Sequence, residues 1–450
     1  WGFFPSVAVG WRISEEPFFE PLRKAVDNLK IRLSYGSLGN QQIGYYDFIQ
    51  TITTKGSMSD YSFDGTVLGQ HATVSDPVSG DQTWEKVVSK NLGLDLNMFN
   101  NRLSLTTDFY IRDTKGILGK GKSLPSIYGA SEPQMNANNL RTKGYELVLG
   151  WRDSFKLAGS TFSYGITGTF SDYTAEYTKC DNPTGLIGDP YVGKKYGEIW
   201  GYKVDGLFRN DKEAAEYASR IDLSTVASGY YTATGAYGKG VRGGDIKYLD
   251  LNGDNIVNGG KGTLDDPGDR RVIGNSSPRC QYGASLNFSW YGFDVSVFMQ
   301  GIGRLDWYPG ADNLRFWGPY CRPYATFVPK NFMSQVWSEE NPDAYFPRAR
   351  AYTSLNSNSG TAYYTNDRYL QNLAYCRLKN LTIGYTIPRR LTSKVGIKEC
   401  RIYFSGENLA TWSALKSDFL DPEQAAADSD KKANVYPWCK TYSIGLNLTF

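Results

Sequence analysis

The densest set of hard oxygen donors in the chain is the run Asp250-Leu-Asn252-Gly-Asp254-Asn-Ile256-Val-Asn258. Carboxylate or amide oxygens at positions 1, 3, 5 and 9, with the Ile256 carbonyl at position 7, follow the spacing by which a calcium loop collects its ligands. Calcium takes about six to eight oxygens at roughly 2.3–2.6 Å, so the chemistry expected here is structural cation binding. Two positions depart from the pattern: position 6 is Asn255 instead of Gly, and position 12 is Lys261, which cannot coordinate a cation. The competing reading is a coil of Asx turns whose carboxylates cap backbone N–H groups.

A second concentration lies between Gly301 and Arg377, where Trp307, Tyr308, Trp317, Tyr320, Tyr324 and Trp337 alternate with Arg315 and Arg322. Flat aromatic faces suit sugar rings, and guanidinium groups suit carboxylates. Trp307, Trp317, Tyr320, Arg322 and Tyr324 are therefore the expected contacts for a substrate or a partner protein. The same side chains could instead pack the segment against itself.

Reactive chemistry finds little support. His71 is the one histidine, so histidine-based zinc sites and acid–base triads lack their parts. The cysteines at 180, 280, 321, 376, 400 and 439 show no Cys-x-x-Cys spacing; six allow 15 pairings, and none is assigned. No catalysis and no redox or organic cofactor are expected. A net charge of +3, dispersed along the chain, gives no argument for nucleic acid.

The elements that would position these groups are β-strands. With 33 Tyr, 22 Phe, 11 Trp and 48 Gly in 450 residues, the chain suits a β-rich fold with many turns. No stretch approaches ~18 uninterrupted apolar residues, which excludes a membrane-spanning helix but not spanning strands. From Thr441 to Phe450, Tyr442, Ile444, Leu446, Leu448 and Phe450 share one face, and small polar residues share the other. Ten such residues at ~3.3 Å each, tilted ~45°, would cross a hydrocarbon core. The pattern recurs at 7–11, 29–35, 92–98, 103–109, 145–151, 162–170, 282–290, 293–299, 381–387 and 402–404, giving eleven expected strands. Brief turns near 99–102, 152–161, 291–292 and 388–399 alternate with long stretches near 36–85, 111–143, 171–281, 301–377 and 408–440. Short connections at one end and long ones at the other are the asymmetry of an outer-membrane β-barrel, with 171–281 and 301–377 as the large external loops. Asn210–Tyr217 is expected to form a short loop helix capped by Asn210.

An odd strand count places the two chain ends on opposite sides of the membrane, whereas closed bacterial barrels have even counts. The chain is therefore expected to be half of a larger barrel. Counting Tyr46–Thr53 as a twelfth strand would instead close a smaller one. Trp1-Gly-Phe-Phe-Pro5 has neither the basic region nor the apolar core of a signal peptide.

Several blocks resemble one family. Phe4-Pro-Ser-Val-Ala-Val-Gly-Trp-Arg-Ile-Ser-Glu-Glu16, Asn28-Leu-Lys-Ile-Arg-Leu-Ser-Tyr-Gly36 with Gly39-Asn40-Gln41, and Phe99-Asn-Asn-Arg-Leu-Ser-Leu-Thr-Thr-Asp-Phe-Tyr110 carry the likeness in the first part. Asn139-Leu-Arg-Thr-Lys-Gly-Tyr-Glu-Leu147, Arg377-Leu-Lys-Asn-Leu-Thr-Ile-Gly-Tyr385, Ile402-Tyr-Phe-Ser-Gly-Glu-Asn-Leu409 and the closing Phe450 continue it. Together they resemble the C-terminal half of the SusC/RagA family of TonB-linked outer-membrane transporters of Bacteroidetes.

The resemblance implies an all-β fold, with residues 1–450 supplying about eleven strands of a barrel in the 22-stranded, plugged size class. The plug, the TonB box and the first strands would lie outside this sequence. It also implies TonB-dependent import of an oligosaccharide or a peptide, with a SusD-like surface lipoprotein closing the mouth as a lid. The TonB–ExbB–ExbD system would act through the missing N-terminal part, outer-membrane lipid would surround the barrel, and two SusC–SusD pairs could form a dimer. Within the oxygen-rich loop the family places an Asp before an Arg, ahead of Val-Ile-Gly-Asn. Here that run is Asp269-Arg-Arg-Val-Ile-Gly-Asn275, which makes Asp269 the closing carboxylate of a structural Ca²⁺ site, with Asp265 and Asp266 as rivals. A surface β-rich adhesin and an outer-membrane enzyme are the readings from other classes.

Overall fold

A computed structural model describes the chain except residues 1, 42–48, 56–70, 81, 121–124, 233–239, 323, 325, 327, 351–353, 356–359, 418, 428–435 and 437. Its main element is one sheet of eleven strands: β1 (Ser6–Arg12), β2 (Val26–Asn40), β3 (Glu85–Met98), β4 (Leu103–Lys120), β5 (Gln134–Leu157), β6 (Ser160–Lys179), β7 (Arg279–Trp290), β8 (Phe293–Arg304), β9 (Tyr375–Thr386), β10 (Glu399–Ser413) and β11 (Thr441–Thr449). Each strand pairs antiparallel with the next in sequence, so the chain meanders once across the sheet, with β1 and β11 at its edges. All eleven expected strands are present. The segment Ile52–Lys55 pairs with His71–Val74, apart from the sheet, so it supplies no twelfth strand; of the rest of that alternative, 49–51 form no strand and 46–48 lie outside the described residues.

The strands run further than their apolar alternation. β5 continues to Leu157 and β6 begins at Ser160, so the expected 152–161 turn shrinks to Ala158-Gly159. Residues 171–179 and 279–281 lie in β6 and β7, and 301–304 and 375–377 lie in β8 and β9; the two largest loops are therefore 180–278 and 305–374. The reason is that polar side chains pair across strands as well as apolar ones do. Beyond the last apolar positions, for example, Asp113 still faces Arg141 across β4 and β5.

Connections of 2–13 residues at one end of the sheet alternate with connections of 13–99 residues at the other, so each longer connection leaves the same end as its longer neighbours. Two-residue turns close β5–β6 and β7–β8, with both central residues at positive φ: Ala158 at 48° and Gly159 at 85°, then Tyr291 at 50° and Gly292 at 84°. That conformation matches the twist of the flanking strands. Tyr291 offsets its backbone strain by donating its hydroxyl to the Ala158 carbonyl, tying the two hairpins together.

One face of the sheet is apolar and uncovered: Val9 is 63% exposed, Leu446 57% and Ile444 84%. Aromatic rings band this face at two levels. At the loop end Phe109 stacks on Tyr145 (6.3 Å between centroids) and Tyr145 on Phe170 (5.9 Å). At the turn end Phe155, Phe162 and Phe288 form a second row, with centroids 5.3 and 6.4 Å apart. Ten residue steps separate Tyr145 from Phe155 along β5. At ~3.3 Å each and a tilt near 40°, they rise about 25 Å, the height of a barrel's apolar band.

The hydrophobic core lies in the long connections, not the sheet. Segments from 180–278, 305–374 and 414–427 share it, with Phe208, Tyr230, Tyr248, Trp317 and Tyr369 all but fully buried. Within the first connection, α1 (Asp211–Ala218) is capped as expected: Asn210 Oδ1 accepts from the Glu213 N–H at 2.9 Å.

Candidate functional site

The oxygen-rich run forms one tight coil. Asp250 accepts the N–H groups of Gly253 (2.7 Å) and Asn255 (2.9 Å), Asn252 accepts that of Asp254 (3.0 Å), and Asp254 accepts that of Ile256 (2.8 Å). Asn255 has φ +66°, the left-handed conformation that Gly supplies at this point of a calcium loop and that Asn also tolerates. The departure at position 6 therefore leaves the backbone path intact.

Asp269, fully buried, closes the coil from 11 residues beyond Asn258. It accepts N–H groups from Leu251 (2.7 Å), Asn252 (3.3 Å) and Asn258 (2.9 Å). Asp265 is not engaged in this way, and Asp266 meets Thr263 instead, its N–H donating to the Thr263 hydroxyl (3.2 Å) and its backbone carbonyl accepting the Thr263 N–H (3.2 Å). Asn258 joins through its amide, which reaches the Ile256 carbonyl at 3.5 Å. Asp250, Asn252, Asp254, Ile256, Asn258 and Asp269 are thus brought together. Among the described residues, however, no three Asp, Glu, His or Cys side chains gather as a metal-ligand group. The coil is built as Asx turns, and each carboxylate, with about four lone-pair sites, retains acceptor capacity. Val257, wholly buried, anchors it in the loop core, where its N–H meets the Asp222 carbonyl at 2.9 Å.

The aromatic residues of the 305–374 loop divide in two. α2 (Leu314–Trp317), capped by Asn313 through the Phe316 N–H at 2.9 Å, turns Phe316 and Trp317 inward. Trp317 is fully buried between Phe316 (4.8 Å) and Tyr369 (5.0 Å), and its indole N–H donates to the Gly310 carbonyl at 3.0 Å. Tyr320 and Trp307 are buried as well, the Tyr320 hydroxyl donating to the Pro347 carbonyl at 2.6 Å. The expectation that Trp307, Trp317 and Tyr320 offer contact faces is corrected: burying these rings is what gives a long loop its core. Arg322 is exposed, and Tyr324 is 84% exposed, so these two present surface.

Ion pairs that sequence reasoning passed over fix the loops. Arg377 of β9, buried, donates to Asp421 and Glu423 (2.7 Å each) and to the Thr411 hydroxyl (2.9 Å), while Lys379 adds a second cation to Glu423 at 2.7 Å. Arg377 lies opposite Gln300, on the polar face of the sheet. The segment around Asp421 and Glu423 is therefore drawn toward that face, where a barrel has its lumen. Inside the loop core, Arg350 meets Asp245 at 2.6 Å and lies over the Tyr230 ring at 4.2 Å. Burial pushes the Asp245 carboxyl up to about 6, with the Arg350 charge opposing. A pair of cations two residues apart in a strand, Arg377 and Lys379, could have flagged this site. Asp245 and Arg350 stand 105 positions apart, and no local pattern joins them.

On the polar face below the loops, Arg32 of β2 forks onto Asp95 of β3 (2.8 and 3.1 Å) and Asp108 of β4 (3.0 and 2.9 Å). Asn91 also donates to Asp108, at 2.7 Å. The hydrogen bonds from Arg32 hold the loop-ward polar wall of three adjacent strands in one charge-assisted network.

A family model described as TonB dependent receptor-like, beta-barrel matches residues 1–272. TonB-dependent receptor P26 of Formosa agariphila is 27% identical over 100% of this chain and 42% of its own length. TonB-dependent receptor SusC of Bacteroides thetaiotaomicron is 23% identical over 100% of the chain and 40% of its own. The solved RagAB peptide transporter superposes with a TM-score of 0.68 at 22% identity, covering 99% of this chain and 43% of that one, which shows a shared fold. The chain thus spans about two fifths of the length of these relatives.

Proposed function

The chain belongs to the TonB-dependent receptor-like β-barrel family, and we propose that it forms half of the wall, and much of the outer cap, of an importer that admits a polar oligomer through the outer membrane. The observation that carries this reading is the vertical order of the molecule. A sheet with an apolar face about 25 Å tall between two aromatic bands carries every long connection at one end, and three of those connections, through 180–278, 305–374 and 414–427, share one core tied to the polar face by Arg377. Such a cap can bind cargo and a lid while the wall stays rigid.

An oligosaccharide is the first cargo class, because Tyr324 and Arg322 offer an exposed ring and guanidinium to sugar hydroxyls and carboxylates. A peptide is the second, favoured by the fold shared with a protein described as a peptide transporter. The partners in this reading are a SusD-like surface lipoprotein as lid, the TonB–ExbB–ExbD system acting through a region of the full protein outside this chain, and a second importer–lid pair. The Asp250–Asp269 coil holds a structural Ca²⁺ through its spare carboxylate lone pairs and the Ile256 carbonyl, stiffening the cap.

Uptake of labelled oligosaccharides and peptides by cells carrying or lacking the full-length gene tests the reading. TonB-dependent uptake of one class that vanishes in the deletion strain supports it; equal uptake of both classes in both strains overturns it. Anomalous scattering at the coil in calcium-containing crystals tests the metal.

A further inference from the structure

The apolar face carries a feature that neither transport nor lid binding uses. Strand register sets out its rows on the loop side of the upper aromatic band. Leu33, Leu92, Phe109 and Tyr145 face one another across β2–β5 as the last apolar row. In the next row toward the loops Tyr35 faces Lys90, Lys90 faces Ile111, and Ile111 faces Lys143. One further step brings Asp113 opposite Arg141, and beyond it Lys86 lies directly opposite Lys115.

Like charges directly opposed across antiparallel strands are destabilising. Among the described residues, nothing on this face cancels them. Its carboxylates are already taken, Asp113 by Arg141 at 2.6 Å, Asp172 by Arg279 at 2.6 Å and Glu176 by Lys195. Lys90 and Lys115 face Asp113, and Lys143 faces Glu176, only at longer range. Among the described residues, Lys86, Lys90, Lys115 and Lys143 form no ion pair, and all four are exposed. Leu33, Leu92, Phe109, Tyr145, Lys90, Lys143 and Arg279 meet in one shallow groove. The row spacing puts Lys90 and Lys143 two strands apart, roughly 10 Å, a gap that two lysine side chains can close onto one anion.

We propose that this groove binds the phosphorylated headgroup of an outer-leaflet lipid, with Lys90 and Lys143 holding the phosphate, Lys86 and Lys115 adding positive potential, and Leu33, Leu92, Phe109 and Tyr145 receiving the first methylenes of its acyl chains. Charge complementarity and the apolar floor choose this occupant: cations just outside a membrane's aromatic belt attract anionic headgroups, and the belt fixes the depth of the chains. The assignment rests on the membrane orientation of the proposed function.

The test uses the full-length protein purified in detergent and analysed by native mass spectrometry with lipid A, with its dephosphorylated form, and with inorganic phosphate. The double variant Lys90→Gln/Lys143→Gln is expected to retain lipid A at least tenfold less than the wild type. Lys90→Arg/Lys143→Arg and the polar-face control Lys30→Gln should retain it fully, and the dephosphorylated lipid should not distinguish the variants. Equal retention of lipid A by the wild type and the Gln variant overturns the proposal, as does binding of inorganic phosphate as tight as that of the lipid. Heat-modifiable electrophoretic mobility separates the two readings. A wild type that inserts as a barrel but retains no lipid defeats this inference alone, whereas a wild type that never inserts defeats the membrane reading itself.

Discussion

Asp269 shows how much one side chain can hold. Its carboxylate accepts three backbone N–H groups while fully buried, so Asp269→Ala strands those donors at about 1–3 kcal/mol each. Amides 251–258 should then exchange hydrogen at least tenfold faster than in the wild type, while the strands keep their protection. Asp245 makes a pH-dependent counterpart. Its pKa is raised from an ordinary 3.8 to about 6, so the folded loop binds more protons than the unfolded one between those values. Stability from this group is fully present below about pH 4 and is lost as pH rises through 6, by about 3 kcal/mol. After correction for intrinsic rates, opening of the loop core should therefore be rarer at pH 5 than at pH 7. Asp245→Asn should flatten that dependence; an unchanged pH profile in this variant would refute the assignment.

At the scale of elements, the junction between β9 and the 414–440 connection is the most exposed to a single change. Arg377→Met leaves Asp421 and Glu423 without their buried partner, and breaking such a pair costs about 3–5 kcal/mol. Limited proteolysis should cut within 414–440 in this variant while the eleven strands remain intact. The β7–β8 turn gives a gentler test. Gly292 sits at φ +84°, and a Cβ there would lie 2.7 Å from the Thr386 carbonyl, so Gly292→Ala should lower the thermal midpoint of the barrel. Tyr291→Asn should lose the hydroxyl bond to Ala158 yet relieve the turn, with a smaller net effect.

For the whole molecule, stability divides between two media. The sheet has no core of its own among the described residues, and its apolar face is matched to lipid; the loops carry a water-excluding core like that of a soluble domain. Leu149→Arg, near the middle of the apolar band, should cost about 2–4 kcal/mol and reduce heat-modifiable barrel in outer membranes. Trp317→Ala should cost about 3–5 kcal/mol in the loop core alone, read as faster hydrogen exchange in 305–374 with insertion unchanged.

The sequence by itself determined the sheet. Alternation at a period of two is a local signal, and lipid on one face imposes it strand by strand, so all eleven strands and the alternation of short and long connections could be read from residue types. The Asx-turn reading of 250–258 and the Asn210 cap were legible for the same reason: each depends on positions close in the chain. Only the tertiary structure decided that Trp307, Trp317 and Tyr320 face inward, that Arg377 draws the last long connection over the polar face, and that Asp245 meets Arg350. These depend on contacts between loops that are distant in sequence, where a side chain's neighbours are set by the packing of the whole cap.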